Sequence, residues 1–337
     1  MSKKNSSVIL KTAFENHIEL QSIFEDFKKK LKVIKRKNFL VAVSGGPDSL
    51  ALTALAKFYS DETKCKINFV LVNHNIRSNS GSEAQSVKKL LNKHGIFLNI
   101  LNNSKKIKTN VQSNARDVRY ALLKKFCLQK KIKVILTAHN LEDQVETFLI
   151  RLSRGSGLEG LSAMKQVSKL DKNIIILRPM LDYKKDQLIN ISKIIFKKFF
   201  KDPANNNKKY LRTKIRELKK PLEKSGINYP QIIKSIKNLA SSRETLDFFF
   251  RKIYLEITKK NKKQVMINFK KFDNLNVEMQ MRILRHCVKD LTKMYYFPRS
   301  KKILNLINRL KLGRDKKLSL YQCHVFRQKN YLIVEKG

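Results

Sequence analysis

Acidic residues are scarce in this 337-residue chain. Asp and Glu together number 27 against 73 Lys and Arg, a formal net charge of +46. Such an excess repels itself at close range, so a polyanionic partner is its expected use. Tryptophan is absent, and ten Gly with six Pro exclude a collagenous or low-complexity chain. Four cysteines, Cys65, Cys127, Cys287 and Cys323, lie scattered with no CxxC pair. Neither a zinc ribbon nor a redox pair nor an iron–sulfur ligand set is spelled out, and reduced thiols with packing roles are expected. No apolar run approaches the roughly 18 residues that span a bilayer, and the opening residues lack a signal-peptide core. The expectation is a cytoplasmic protein without membrane attachment.

What is present is enough to fold. Hydrophobic residues make up 42% of the chain and include nineteen Phe, which excludes a disordered polybasic tail. At about 150 residues per domain the length suggests two domains. Residues 16–34 carry apolar positions at helical spacing (Ile18, Ile23, Phe24, Phe27, Leu31) and read as an amphipathic helix. From Phe39 short apolar runs alternate with helical stretches: Phe39–Val43, Phe69–Val72, Phe97–Leu101, Val134–Thr137 and Ile174–Leu177, with helices between and after them. That βα rhythm predicts an α/β fold, a mostly parallel sheet with helices on both faces.

Between Lys197 and Lys220 the residues around Asp202-Pro203-Ala204-Asn205 read as a loop. This 24-residue stretch holds ten Lys/Arg against two acids. Beyond Pro221 the pattern turns helical, clearest over 232–255 and 278–291, and closes in two strand-like runs, 318–326 and 331–334. A second basic patch, 293–317, carries nine Lys/Arg against Asp315 alone. The expected organisation is an N-terminal helical extension over 1–35, a catalytic domain over 36–220, and over 221–337 a mainly α-helical domain with a C-terminal β-hairpin.

Chemistry concentrates where the first strand ends. There Ser44-Gly45-Gly46-Pro47-Asp48-Ser49 leads into a helix, and its glycines let backbone N–H groups approach an anion at that helix's N-terminus. Ser44 and Ser49 add hydroxyl donors, and Asp48 is placed to hold a magnesium ion bridging phosphates. Farther on, a helix starting near Glu142 sets Asp143 and Glu146 three residues apart on one face, a pair suited to a cation, either a substrate ammonium or magnesium. His139 precedes it at the carboxyl end of a strand, where ligands of open α/β sheets collect.

The string SGGxDS resembles the pyrophosphate loop of the N-type ATP pyrophosphatases, whose fold is adenine nucleotide alpha hydrolase-like. The segment from Leu136 to Leu161, with His139, Asp143, Glu146, Arg154, Gly155, Gly157 and Gly160, is similar to the TAHHxDDQxETxLxRLxRGSGxxGL signature of bacterial tRNA(Ile)-lysidine synthases. Asn140 stands for the second His and Glu142 for the first Asp. Val72-Asn73-His74-Asn75-Ile76-Arg77 resembles the family's VxHxLR element near the adenine. Ala115-Arg116-Asp117-Val118-Arg119-Tyr120 resembles its xARxxRY helix. The stretch from Asp202 through Arg212 and Arg216 to Pro221 resembles its DxSNxxxxxxRNxxRxxxxPxL block, with Ala204 for Ser and Thr213 for Asn.

The resemblance implies an ATP-dependent ligase that joins L-lysine to C2 of the wobble cytidine in the CAU anticodon of tRNA(Ile). The reaction passes through an adenylated cytidine, gives AMP and pyrophosphate, and changes codon reading from AUG to AUA. It implies ATP and Mg2+ at Ser44, Gly45, Gly46, Pro47, Asp48 and Ser49, with His74 on the adenine side and Asp48 on the metal. Asp143 and Glu146 would position the lysine or the metal. Arg212, together with Arg116, Arg119 and Arg216, would meet the adenylate and tRNA phosphates. The helical domain would bind tRNA, without the further C-terminal domain of longer members, and a homodimer stays open. Two alternatives remain: a related tRNA thiolase, against which the missing CxxC speaks, and a non-catalytic RNA-binding protein, against which the intact Asp48, Asp143 and Glu146 speak.

Overall fold

The computed structural model describes residues 12–104, 107, 109–200, 211–261, 263–292, 300–312 and 317–337. The stretch containing Asp202, Ala204 and Asn205 lies outside them, as do parts of the 293–317 patch. Two compact units divide the chain at Leu239/Ala240.

In the first unit six strands form one sheet in the order β3-β2-β1-β4-β6-β5. They are β1 (Asn38–Val43), β2 (Lys66–Asn73), β3 (Leu98–Asn102), β4 (Val134–Leu136), β5 (Val167–Lys169) and β6 (Ile175–Leu177). All neighbours run parallel except the edge pair β5 and β6, which is antiparallel. A parallel strand covered on both faces reads as an unbroken apolar run, and β1 is the example. Phe39, Val41 and Val43 point into one core with the helices Ile18–Lys32, Pro47–Thr63, Ser80–Lys93 and Lys185–Phe196. Leu40 faces the other core with Leu123, Phe126 and Cys127 of the helix Val111–Gln129. Helices therefore cover both faces, as the alternation predicts. The amphipathic helix Ile18–Lys32 buries Leu20, Ile23, Phe24, Phe27 and Leu31 in the first of these cores, while Ile18 stays exposed.

Chain direction fixes where a ligand can sit. From β1 the chain moves outward to β2 and β3, then returns to place β4 on the other side of β1. The carboxyl ends of β1 and β4 therefore flank a topological switch point, where the crevice of an open α/β sheet opens. The loop Ser44–Ser49 leaves β1 at this point, and residues 137–143 leave β4 beside it.

The second unit combines helices with C-terminal antiparallel strands, and two further strands join the expected hairpin sheet from earlier in the chain. The helices Val277–Thr292 and Ser300–Leu312 pack with a five-stranded antiparallel sheet ordered β7-β8-β11-β10-β9. Its strands are β7 (Thr258–Lys260), β8 (Gln264–Asn268), β9 (Leu318–Leu320), β10 (Cys323–Gln328) and β11 (Tyr331–Lys336). The expected C-terminal hairpin is present as β10 and β11, paired from Cys323↔Lys336 to Gln328↔Tyr331, and β8 extends it along the other edge of β11. The run 318–326, read as one strand, is two. Tyr321, at φ +57°, turns the chain between β9 and β10. All four cysteines are free and buried.

Candidate active site

The loop after β1 is held by one hydroxyl. The Ser44 N–H and Ser44 Oγ both donate to Ser49 Oγ (3.1 Å each), and Ser49 Oγ donates to the Gly46 carbonyl (3.0 Å). Gly45 adopts φ +84°, and a Cβ built there would lie 2.5 Å from Val87 Cγ2. Glycine is thus required on both conformational and steric grounds. Gly45→Ala is expected to cost about 2–3 kcal/mol in a thermal melt and to weaken ATP binding measured by calorimetry. Unchanged ATP affinity would show that this loop does not carry the nucleotide.

Pro47 starts the helix Pro47–Thr63 at a position where its missing N–H costs nothing, and Asp48 sits in that first turn. Asp48 Oδ1 is buried and has no hydrogen-bond partner among the described residues. Burial pushes the Asp48 carboxyl up to about 6, against the pull of Lys185 and of a hydrogen bond from Asn140, with Asp143 and Glu142 adding repulsion.

Across the crevice, Asn140 caps the helix Leu141–Leu152. Its Oδ1 accepts from the Asp143 N–H (2.9 Å), while Asp143 Oδ2 accepts from the Asn140 N–H (3.2 Å), forming a reciprocal capping box. Asn140 thereby joins Asp48 to Asp143, so its departure from the family's second His leaves the helix start intact. Glu142 Oε2 accepts from the Lys185 N–H (2.9 Å).

Glu146, one turn on, is 4% exposed. Its Oε1 accepts from Arg216 Nε (2.6 Å), and its Oε2 accepts from Arg212 Nε (2.7 Å) and an Arg216 terminal nitrogen (3.2 Å). Arg212 also approaches Asp143 Oδ1 at 3.5 Å. Both arginines come from the short helix Leu211–Glu217. Burial opposes the charge of Arg216, but the Glu146 contact more than offsets it and raises the guanidinium above its ordinary value.

A second cluster gathers at the ends of β2 and β4. Arg119 lies 3.5 Å from His74 Nε2, and burial followed by this charge lowers His74 to about 4. His139 pairs with Thr137 Oγ1 through Nδ1 (3.0 Å). Burial, then Arg178, Arg116, Arg212 and Arg119, hold it far below the ordinary histidine value, so it is a neutral imidazole. The Arg116 guanidinium stacks over the Tyr120 ring at 5.0 Å.

The structure thus joins Asp48, Asp143, Glu146, Arg212 and Arg216 in one network, with Arg116 and Arg119 near a neutral His139 and His74 beside Arg119. Sequence reasoning noted Asn140 only as a departure from the family signature and passed over Lys185 and Arg178. A signal for Lys185 was available. Two lysines, Lys184 and Lys185, open a helix, where the dipole disfavours cations, so an acidic neighbour was implied.

Comparison with known proteins identifies the family. Residues 16–222 match the family model described as a PP-loop domain. A curated tRNA(Ile)-lysidine synthase of Wolbachia sp. subsp. Brugia malayi is 31% identical over 313 residues, spanning 91% of this chain and 72% of the relative. The chain belongs to the tRNA(Ile)-lysidine synthase family. A second synthase of this family, from Wolbachia pipientis wMel, is 30% identical over 95% of this chain and 75% of its own length. Among solved structures, the U34-tRNA thiolase NcsA from Methanococcus maripaludis, solved with its [4Fe-4S] cluster, superposes with a TM-score of 0.56 at 19% identity. That match covers 66% of this chain and 80% of the thiolase. It is a likeness of fold, whereas the sequence relationship lies with the synthases. The PP-loop assignment carries ATP use with it. No helix among the described residues is long and apolar enough to cross a membrane.

Proposed function

We propose that the chain ligates L-lysine to C2 of the wobble cytidine of tRNA(Ile) bearing a CAU anticodon, consuming ATP. The observation that carries this reading is the meeting, at one switch point, of a glycine-built anion loop with the Asp143/Glu146 helix face, through Asp48 and Asn140. In the first step the cytidine O2 attacks the α-phosphorus, the bond to the β-phosphate breaks and pyrophosphate leaves. In the second the lysine ε-amine attacks C2, and AMP leaves with the former O2.

The loop Ser44–Ser49 would cradle the leaving pyrophosphate through backbone N–H groups at a helix N-terminus. The orphaned Asp48 Oδ1 is a hard oxygen donor beside that loop, which fits Mg2+. Asp48 would hold the ion, whose charge would neutralise phosphate oxygens there. His74 would border the adenine, Arg116 and Arg119 would meet the adenylate and RNA phosphates, and Asp143 with Glu146 would receive the lysine ammonium.

The second unit supplies RNA contacts in this reading, within the 221–337 region expected to bind tRNA. Lys301 and Lys302 are exposed on a helix that buries Ile303, Leu306, Ile307 and Leu310. Phe248 and Phe249 are exposed on the helix Tyr229–Ile257, and the Lys252 ammonium lies 4.7 Å over the Phe248 ring. Cations contact phosphates and aromatics stack on bases, and salt separates the two. Changing Lys301 and Lys302 to Gln should lower the slope of log affinity against log salt by about one to two. Changing Phe248 and Phe249 to Ala should weaken tRNA binding about tenfold or more with the slope retained. Filter binding across a salt series measures both, and unaltered binding in both variants would remove the second unit from the interface.

The functional reading is tested by AMP release from ATP with and without tRNA(Ile) transcript and L-lysine. Release that needs both supports it. Release without lysine but with a sulfur donor would assign the thiolase chemistry instead.

A further inference from the structure

Glu146 is the most completely occupied acid of the site. Both of its oxygens are filled by Arg212 and Arg216, and its side chain is only 5% exposed. A lysine ammonium directed to this carboxylate would meet two guanidinium groups already there. Neither arginine is equally buried: their side chains are 36% and 31% exposed, so each can reach a ligand in the crevice. Arg212 already spans towards Asp143 at 3.5 Å. A guanidinium fork binds phosphate at least as well as carboxylate.

We propose that Glu146 is an exchange site: Arg212 and Arg216 occupy it until a phosphate group draws one away, and the ammonium of the incoming lysine then takes the vacated place. The inference rests on the functional reading above and adds an order to it. With one arginine gone the other still pairs Glu146, but the vacated carboxylate oxygen is buried and short of a charge-assisted hydrogen bond, so the arginine's departure and the ammonium's arrival are coupled. Binding of phosphate and of lysine then favour each other, and linkage makes the effect reciprocal. Lysine is thereby admitted after the nucleotide or the RNA is in place, when an adenylated base can use it.

The test is equilibrium dialysis of radiolabelled L-lysine against the full chain, in a preparation first shown to release AMP only with tRNA and lysine. Four arms are compared: protein alone, with an ATP analogue whose α,β bond cannot be cleaved, with tRNA(Ile) transcript, and with both. Lysine affinity is expected to rise about tenfold or more over protein alone. A rise with the analogue alone assigns the phosphate to the nucleotide, and a rise only with transcript assigns it to the RNA backbone. Arg216→Gln should tighten lysine binding in the ligand-free arm. Were the arginines simply a brace, that variant would melt lower with its ligand-free lysine affinity unchanged. Equal affinity in all four wild-type arms overturns the exchange while leaving the functional reading standing. A preparation without lysine-dependent AMP release overturns both.

Discussion

Asp48→Asn is expected to abolish AMP formation and, at the same time, to make the protein more stable. The Asp48 carboxyl is pushed up to about 6 by burial, from an ordinary 3.8. Near neutral pH the folded protein therefore carries an ionised carboxylate in a place that disfavours charge. Two pKa units correspond to about 3 kcal/mol, so the isosteric amide should gain about 2–3 kcal/mol in the presence of a chelator. The sign is fixed by the direction of the shift. The penalty is fully present above about pH 6, fades as pH falls, and is gone below the unfolded value, so the variant's advantage vanishes by about pH 4. Activity moves the other way: in the proposed reading the variant loses the oxygen that would hold Mg2+ beside the loop, and AMP formation should fall by roughly 10³-fold or more. Paired melts across pH and an AMP assay check both halves. A variant that is destabilised at pH 7.5 would contradict the electrostatic account of this loop.

Glu146→Gln is expected to kill the same reaction with the opposite effect on stability. Here the wild-type carboxylate is matched by two guanidinium groups at 2.6–2.7 Å. The amide retains the shape but leaves two half-buried cations without their counter-charge. Removing one partner of a buried ion pair is strongly destabilising, and the partial exposure of both arginines moderates it, so a loss of about 2–4 kcal/mol is expected by denaturant titration. AMP release in the presence of tRNA and lysine should fall at least about 10²-fold. Two acids facing one crevice thus answer the same substitution with opposite stability changes, because one lacks a partner for its Oδ1 and the other has partners for both oxygens. Equal stability effects for the two variants would show that the arginine contacts carry little energy.

The parts of the molecule that were legible in the sequence are those whose signals are local. β1, β2 and β4 are apolar runs because both sheet faces are covered, and Ser44–Ser49 spells its own turn through Gly45 and Gly46. The strands that were missed depend on distant partners. β7 and β8 lie in the lysine-rich run Thr258 to Asn268, whose pairing comes from Tyr331–Glu335. The edge strand Val167–Lys169 has three residues, none buried, and so carries no alternation to read. At the site, spacing placed Asp143 and Glu146 on one helical face. It could not show that the cations filling Glu146 come from 66 and 70 residues later in the chain. Nor could it show that Asn140, a substitution within the family signature, ties Asp48 to Asp143.

The most direct measurement is the nucleoside content of tRNA(Ile) transcript after incubation with this protein, ATP and L-lysine, digested and read by mass spectrometry. The account predicts that the wobble cytidine is replaced by a nucleoside carrying one lysine less one water. It also predicts that this product is missing when lysine is omitted or when Asp48→Asn is used. An unmodified wobble cytidine under complete conditions, or one that carries sulfur in place of its C2 oxygen, would contradict it.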